Sequence, residues 1–163
     1  VELQLYVDGS FSKVHPDFTS GGMVLLYDDT VLCSQRYKTK NKVFVDMHNI
    51  GGELLAVMNG ITVTTAFAKQ LTLTEKCTIH IFHDYNGIAR FIEGRPVWNP
   101  KKDGAKLYVN MIKQFKQQHP NIIIKFTKVK AHTGNKWNEV ADAIANGVNP
   151  SECEGKMLKE YIS

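Results

Sequence analysis

Three strand-like runs come first in this chain, and only after them do helical and strand patterns begin to alternate; that order constrains the fold more than any other feature. In 3–10, Leu3, Leu5 and Val7 alternate with Gln4, Tyr6, Asp8 and Ser10, the two-residue period of a β-strand. The runs 21–27 (GGMVLLY) and 30–37 (TVLCSQRY) are divided only by Asp28-Asp29, which predicts a hairpin. From residue 50 the period changes. Leu54, Met58, Ile61, Thr65 and Ala68 recur at helical spacing across 50–68. A β-rich run, 77–83 (CTIHIFH), ends at Asp84, and a helix is expected from Asn86 to Glu93, before Gly94 and Pro96. Residues 103–118 form another amphipathic helix, with Leu107, Met111 and Phe115 on its apolar side. Asn121 to Val129 reads as a fifth strand, and a last helix runs from Asn135 as N-cap to Gly147 as C-cap. Such an order makes an α/β fold, a mixed sheet with helices on its faces.

A chain of 163 residues, 43% hydrophobic and 22% charged, can bury one core without disulfide or metal staples. The same fractions exclude disorder and low complexity. No repeat or linker divides it, so one domain over 1–149 is expected, with 150–163 as a C-terminal tail packed as a short helix. No apolar run approaches the ~20 residues of a membrane span, so no spanning helix is expected. The opening VELQLYVDGS lacks the basic start of a signal peptide. It begins with Val rather than Met, which points to a processed protein or a domain cut from a longer chain. Cys33, Cys77 and Cys153 are odd in number and lack metal-ligand spacing; they read as reduced thiols, and a cytoplasmic location is expected. The net charge of +4 conceals a polarity. Residues 1–35 hold one Lys against five acids, whereas 101–136 hold nine Lys against one Asp. One surface should attract a polyanion while another gathers carboxylates.

Four of those carboxylates stand at positions of interest. Asp8 lies inside a strand, where Asp is disfavoured, although a strand-end cap with Gly9-Ser10 is an alternative. Glu53 opens a helix after Gly51-Gly52, where an interaction with the helix dipole is the plainer role. Asp84 sits at the carboxyl end of a strand, the edge where α/β sheets gather ligands, and could equally cap the next helix. Asp142, between Ala141 and Ala143, could be an exposed helix charge. Taken together, they suit phosphodiester hydrolysis. Mg²⁺ prefers several hard oxygen ligands, and two such ions ~4 Å apart can activate a water and stabilise the departing oxygen.

The segments YVDGS (6–10), GGELLAV (51–57), HDYNGIARF (83–91) and KAHTGNKWNEVADAIAN (130–146) resemble ribonuclease H of the type 1 family, in its order and approximate spacing. The last is the most specific: a Lys-x-His-x-Gly loop, then Asn-Glu, then an Asp ten residues after the His. The resemblance implies a five-stranded mixed sheet with the third strand antiparallel and helices on both sides. It implies endonucleolytic hydrolysis of the RNA strand of RNA–DNA hybrids by two-metal-ion catalysis, giving 5′-phosphate and 3′-hydroxyl ends. Asp8, Glu53, Asp84 and Asp142 match the family's metal-binding carboxylates for two Mg²⁺ ions, with Mn²⁺ as a substitute. His132 matches the mobile-loop histidine that assists proton transfer or product release. Asn49 and Asn86 match substrate-contacting positions. The partner expected is thus an RNA–DNA hybrid, with no membrane, met by a monomer.

Some segments differ from the family pattern. SFSKVHPDFTS after Gly9 replaces a glycine-rich turn, and the run Asn49-Ile50-Gly51-Gly52-Glu53 departs from the Asn-Asn-Arg-x-Glu form. Only about seven residues, Gly94 to Pro100, join the two middle helices, so the lysine-rich substrate handle of many members is missing. Lys101, Lys102 and Lys106 are candidates to replace it. Trp98 and Trp137 could each be packing anchors or stacking platforms. Two other readings stand beside the nuclease: a transposase or integrase core, and a nucleic-acid-binding module of the same fold without activity.

Overall fold

The computed structural model describes residues 1–70, 76–85, 87–93, 103–130 and 136–148. Its elements run β1 (Glu2–Ser10), β2 (Thr19–Tyr27), β3 (Thr30–Thr39), α1 (Lys42–Val45), α2 (Asn49–Gln70), β4 (Cys77–His83), α3 (Gly87–Glu93), α4 (Asp103–Gln118), β5 (Ile122–Lys128) and α5 (Lys136–Ala145). The five strands form one sheet in the order β3-β2-β1-β4-β5. β2 pairs antiparallel with β1 and β3, while β4 pairs parallel with β1 and β5. The second strand, not the third, therefore runs against the other four. Antiparallel connections at both ends of β2 leave no other direction for it.

At the β2–β3 turn, Asp28 and Asp29 have φ of 51° and 62°. Both central residues are left-handed, the backbone a two-residue hairpin requires, and Asp tolerates it better than most side chains. β1 lies centrally and is buried on both faces, as its parallel neighbour β4 and the helices on either face demand. On one face Leu3, Leu5 and Val7 join Met23, Leu25, Ile79 and Ile81 against α2 and α4. On the other, Tyr6, Val24, Leu26 and Val31 meet Val140, Ala141 and Ile144 of α5. A side chain at Gly22 would strike the backbone of Ala141, so that glycine lets α5 lie directly on β2.

α2 carries a broader buried band than its period suggested. Leu54, Ile61, Thr65 and Ala68 are buried, Met58 is half-buried, and Ala56, Val57, Gly60 and Thr64 add to the face. An 18-residue window within its 22 residues reaches a mean hydropathy of 1.3, long and apolar enough by composition to cross a membrane. That corrects the expectation that no segment would be; in the fold 56% of the window is buried as a core helix. α4 is rotated from its expected setting: Leu107 is exposed, and Ala105, Tyr108, Ile112 and Phe115 face inward. The Tyr108 hydroxyl donates to the Ile88 carbonyl at 2.6 Å and fixes that rotation. α1 was not anticipated. Asn41 caps it, its side chain accepting from the Val43 N–H at 3.1 Å, and Phe44 buries beneath it.

α5 ends as expected at Gly147, whose φ is +93°. Its Val148 N–H donates to the Ala143 carbonyl and its Gly147 N–H to that of Ile144, the paired bonds of a Schellman cap. Among the described residues, Cys33 and Cys77 form no disulfide. The expected tail helix, Cys153, Trp98, Lys101 and Lys102, and the Asn135 cap lie outside the described residues.

Candidate active site

Parallel pairing of β1 with β4 carries two acids to one edge of the sheet. The last Cα pair between these strands is Tyr6–Phe82, and Asp8 and Asp84 each lie two residues farther on. Gly9 follows Asp8 directly under the start of α2, and a Cβ there would strike the Asn49 carbonyl. The close approach seats Glu53, the fifth residue of α2, beside the β4 exit. Gly51 and Gly52 allow the same helix start to touch the backbones of Phe44 and Ser20.

Glu53 is 2% exposed, and its Oε1 accepts from the N–H groups of Asp84 at 3.0 Å and Tyr85 at 3.4 Å. Burying a carboxylate this deeply costs several kcal/mol without a counter-charge. Fully buried Leu54, Val57 and Ile61 in the following turns each contribute about 1.5–3 kcal/mol and keep the helix seated. The β4 exit is also held by His83, whose Nδ1 donates to the Tyr85 carbonyl at 2.9 Å. Burial, with the Lys128 charge, pulls the His83 imidazole down to about 4, so it stays neutral. α5 supplies the last acid. Asp142 is half-buried and hydrogen-bonded to Asp8.

Asp8, Asp84 and Asp142 line one cleft of about 190 Å³ together with Gly9, Asn49, Asn138 and Glu139. Asn138 and Glu139, the Asn-Glu of the family motif, were given no site role from the sequence. The available signal was their spacing, four and three residues before Asp142 on one helix face. Asn49 stands exposed at the rim. His132 and Asn86 lie outside the described residues. Trp137 packs against the Tyr6–Val24 cluster, a packing anchor, and Lys106 is exposed on α4.

The electrostatics are those of crowded acids. Burial pushes the Asp8 carboxyl up to about 8; the Gly9 N–H, donating at 2.8 Å, opposes this, while Asp142 and the charge of Asp84 reinforce it. Burial, then the charge of Asp8, holds Glu53 well above the usual carboxylate range, against the two N–H groups it accepts from. Among the described residues no three His, Cys, Asp or Glu side chains are arranged to hold an ion as they stand. Asp8 and Asp142 are bonded to each other, and Glu53 is turned to the backbone. The donor set is nonetheless all oxygen and strongly anionic, and its raised Asp8 marks a place that lacks positive charge. It fits a hard divalent cation.

The RNase H family model matches residues 1–149. Among solved structures, RNase H1 from the halophilic archaeon Halobacterium salinarum NRC-1 superposes with a TM-score of 0.66 at 18% identity, covering 90% of this chain and 96% of that one. LC11-RNase H1 in complex with an RNA/DNA hybrid gives 0.61 at 17% identity, over 86% and 94%. The prototype foamy virus protease-reverse transcriptase gives 0.55 at 18% identity, over 90% of this chain and 21% of that one. Among curated proteins no relative matches. At these identities the structural likeness speaks for the fold.

Proposed function

This chain belongs to the RNase H family, and we propose that it is an endonuclease hydrolysing the RNA strand of RNA–DNA hybrids. The observation that carries the reading is the convergence of Asp8, Asp84 and Asp142 on one cleft, with Glu53 buried beside them. Asp8, Glu53, Asp84 and Asp142 would hold two Mg²⁺ ions, or Mn²⁺ in their place. When bound, these supply activation of a water and stabilisation of the departing 3′ oxygen, so that 5′-phosphate and 3′-hydroxyl ends result.

The chain's own groups do the remaining work. Asp8 gives up its proton and its bond to Asp142 to become a ligand. Asn49, exposed at the rim, carries an amide that can both donate to and accept from a 2′-hydroxyl. Such contacts come through the wide minor groove of an A-like duplex, since side chains cannot read its narrow major groove. The resemblance assigns Asn86 a similar contact and gives His132 a proton-transfer or product-release role, suited to an imidazole that titrates near neutrality. The hybrid bound to LC11-RNase H1, a protein of the same fold, supports this choice of substrate.

The test is direct. The protein is incubated with RNA–DNA hybrid, duplex DNA and single-stranded RNA, each with Mg²⁺ and with chelator. Cleavage of the hybrid's RNA strand alone, abolished by chelator, is expected. Cleavage of duplex DNA would favour a transposase-like core, and no cleavage of any substrate a binding module.

A further inference from the structure

We propose that Asn146, held in turn by Ser10, is a positioning residue that aims the Asp142 carboxylate into the cleft. The inference rests on the reading of Asp142 as a metal ligand. Asp142 lies off the fully buried face of α5, so packing alone leaves its side chain freedom to turn. Its neighbour Asp8 is a second acid, and two like charges drive each other apart once both ionise.

One turn along the helix, Asn146 Nδ2 donates to Asp142 Oδ1 at 3.1 Å and to the Asp142 carbonyl at 2.9 Å. Ser10 Oγ donates to Asn146 Oδ1 at 2.7 Å. The chemistry fixes which way the amide faces. Both Asp142 oxygens can only accept, so the NH₂ must point to them and Oδ1 to the hydroxyl. Ser10 is two residues past Asp8 on β1. The relay Ser10–Asn146–Asp142 thus ties two candidate ligands on different elements to one frame.

A separate set of bonds anchors the same helix end. Ser20 Oγ donates to the Ala145 carbonyl at 2.8 Å, and Arg36 Nε donates to it at 3.3 Å. Arg36 Nη2 also donates to Ser20 Oγ at 3.2 Å. Those bonds fix where α5 ends; of these groups, Asn146 reaches the carboxylate. A neutral amide is suited to the task because it supplies a directed donor and leaves the full negative charge for a cation. A lysine or arginine there would neutralise the charge that the cation needs. Partners behind a ligand typically change metal affinity by about 10–100-fold. Since this relay is open to solvent, the low end applies.

Calorimetric titration with Mn²⁺ alone, beside hybrid cleavage against Mg²⁺ concentration, tests the proposal. Asn146→Ala and Ser10→Ala should each weaken Mn²⁺ binding about tenfold. The Mg²⁺ needed for half-maximal cleavage should rise by the same factor, with KM for hybrid and kcat at saturating metal nearly unchanged. Ser10→Thr keeps the hydroxyl on a strand-compatible side chain and should bind Mn²⁺ as the wild type does. That pair decides the matter even if Asn146→Ala fails to fold. Wild-type Mn²⁺ affinity in Ser10→Ala, with binding lost in Asp142→Asn, would overturn the positioning role and leave the metal site standing. Wild-type binding and cleavage in Asp142→Asn would overturn the underlying reading instead.

Discussion

Asp8 holds its carboxyl where strand, helix and a neighbouring acid leave it almost no water, and its ionisation is felt by the whole fold. Its pKa is raised from 3.8 to about 8, chiefly by burial. Between those values the folded chain binds a proton that the unfolded chain releases, so the stability of the metal-free protein should fall as pH rises from about 4 to about 8. Asp8→Asn keeps the volume and removes the charge. We expect it to raise metal-free stability at pH 8 by about 1–2 kcal/mol, some 3–6 °C in Tm, and to change little at pH 4; melting curves at both pH values check this. Hybrid cleavage by the same variant should fall by at least ~10³. A drop in Tm at both pH values would make Asp8 a structural cap instead. His132→Ala should behave differently: kcat lower by roughly 10- to 100-fold, hybrid affinity little changed, and the bend near neutrality in the wild-type pH–rate profile gone. A loss as complete as that of Asp8→Asn would make His132 an essential base or ligand. Asp8, Glu53, Asp84 and Asp142 each gave a weak signal alone, since each also suits a cap, a helix-dipole or a surface-charge role, and it was the resemblance to the family's motifs that drew them together. Asn138 and Glu139 were read as part of the motif but not as lining the cleft, because a polar residue on a helix looks the same in sequence whether it faces a cleft or open solvent.

At the scale of elements, period carried most of the information. β4 and α4 fall on the expected residues, since alternation in 77–83 and amphipathicity in 103–118 each admit one reading. Direction is another matter: a two-residue period says nothing about which way a strand runs, so the antiparallel member had to come from the pairing of β2. The rotation of α4 was ambiguous for a similar reason. Leu107, Tyr108, Val109, Met111 and Ile112 place apolar groups on more than one side of the helix, and the bond from Tyr108 to Ile88 selects the buried one. α1 is four residues long, too short for any period to show. The β2–β3 hairpin yields a prediction at this scale. Asp28 and Asp29 both adopt left-handed backbone and place two like charges side by side. Combining Asp28→Asn with Asp29→Gly relieves both, because asparagine followed by glycine suits this turn and carries no charge. The looser unfolded chain that glycine brings offsets part of the gain. A net stabilisation of about 0.5 kcal/mol is expected by denaturant unfolding, with unchanged cleavage, because Tyr27 pairs with Leu3 at the end of β1 away from Asp8.

The whole molecule is arranged so that its acids converge where β1 and β4 end, and a cation would complete their charge. That arrangement couples metal to both proton and stability. Near pH 7 a carboxyl with a pKa of about 8 is mostly protonated, whereas a ligand must be ionised, so Asp8 should release about one proton on binding, and Glu53, also held above the usual range, adds to it. Calorimetry of Mn²⁺ binding at pH 7 in two buffers of different ionisation enthalpy would show it: the heat should differ between buffers by at least about one proton's worth. At pH 9 the share from Asp8 should nearly vanish, and Asp8→Asn should lower the release at pH 7 by about one proton. The same binding should stabilise the fold. An ion at 100 times its Kd adds about 2.7 kcal/mol, or roughly 5–10 °C in Tm for a chain of this length, and chelator should reverse it. These two readouts separate the links in the argument. Stabilisation without proton release would mean that Asp8 is already ionised when the ion arrives, and that the Asp8–Asp142 bond is not what the ion displaces. Proton release without stabilisation would place the metal on the unfolded chain as well. Only both together describe a fold that keeps Asp8, Asp84 and Asp142 in one cleft, with Glu53 buried beside them, by holding a proton until a cation takes its place.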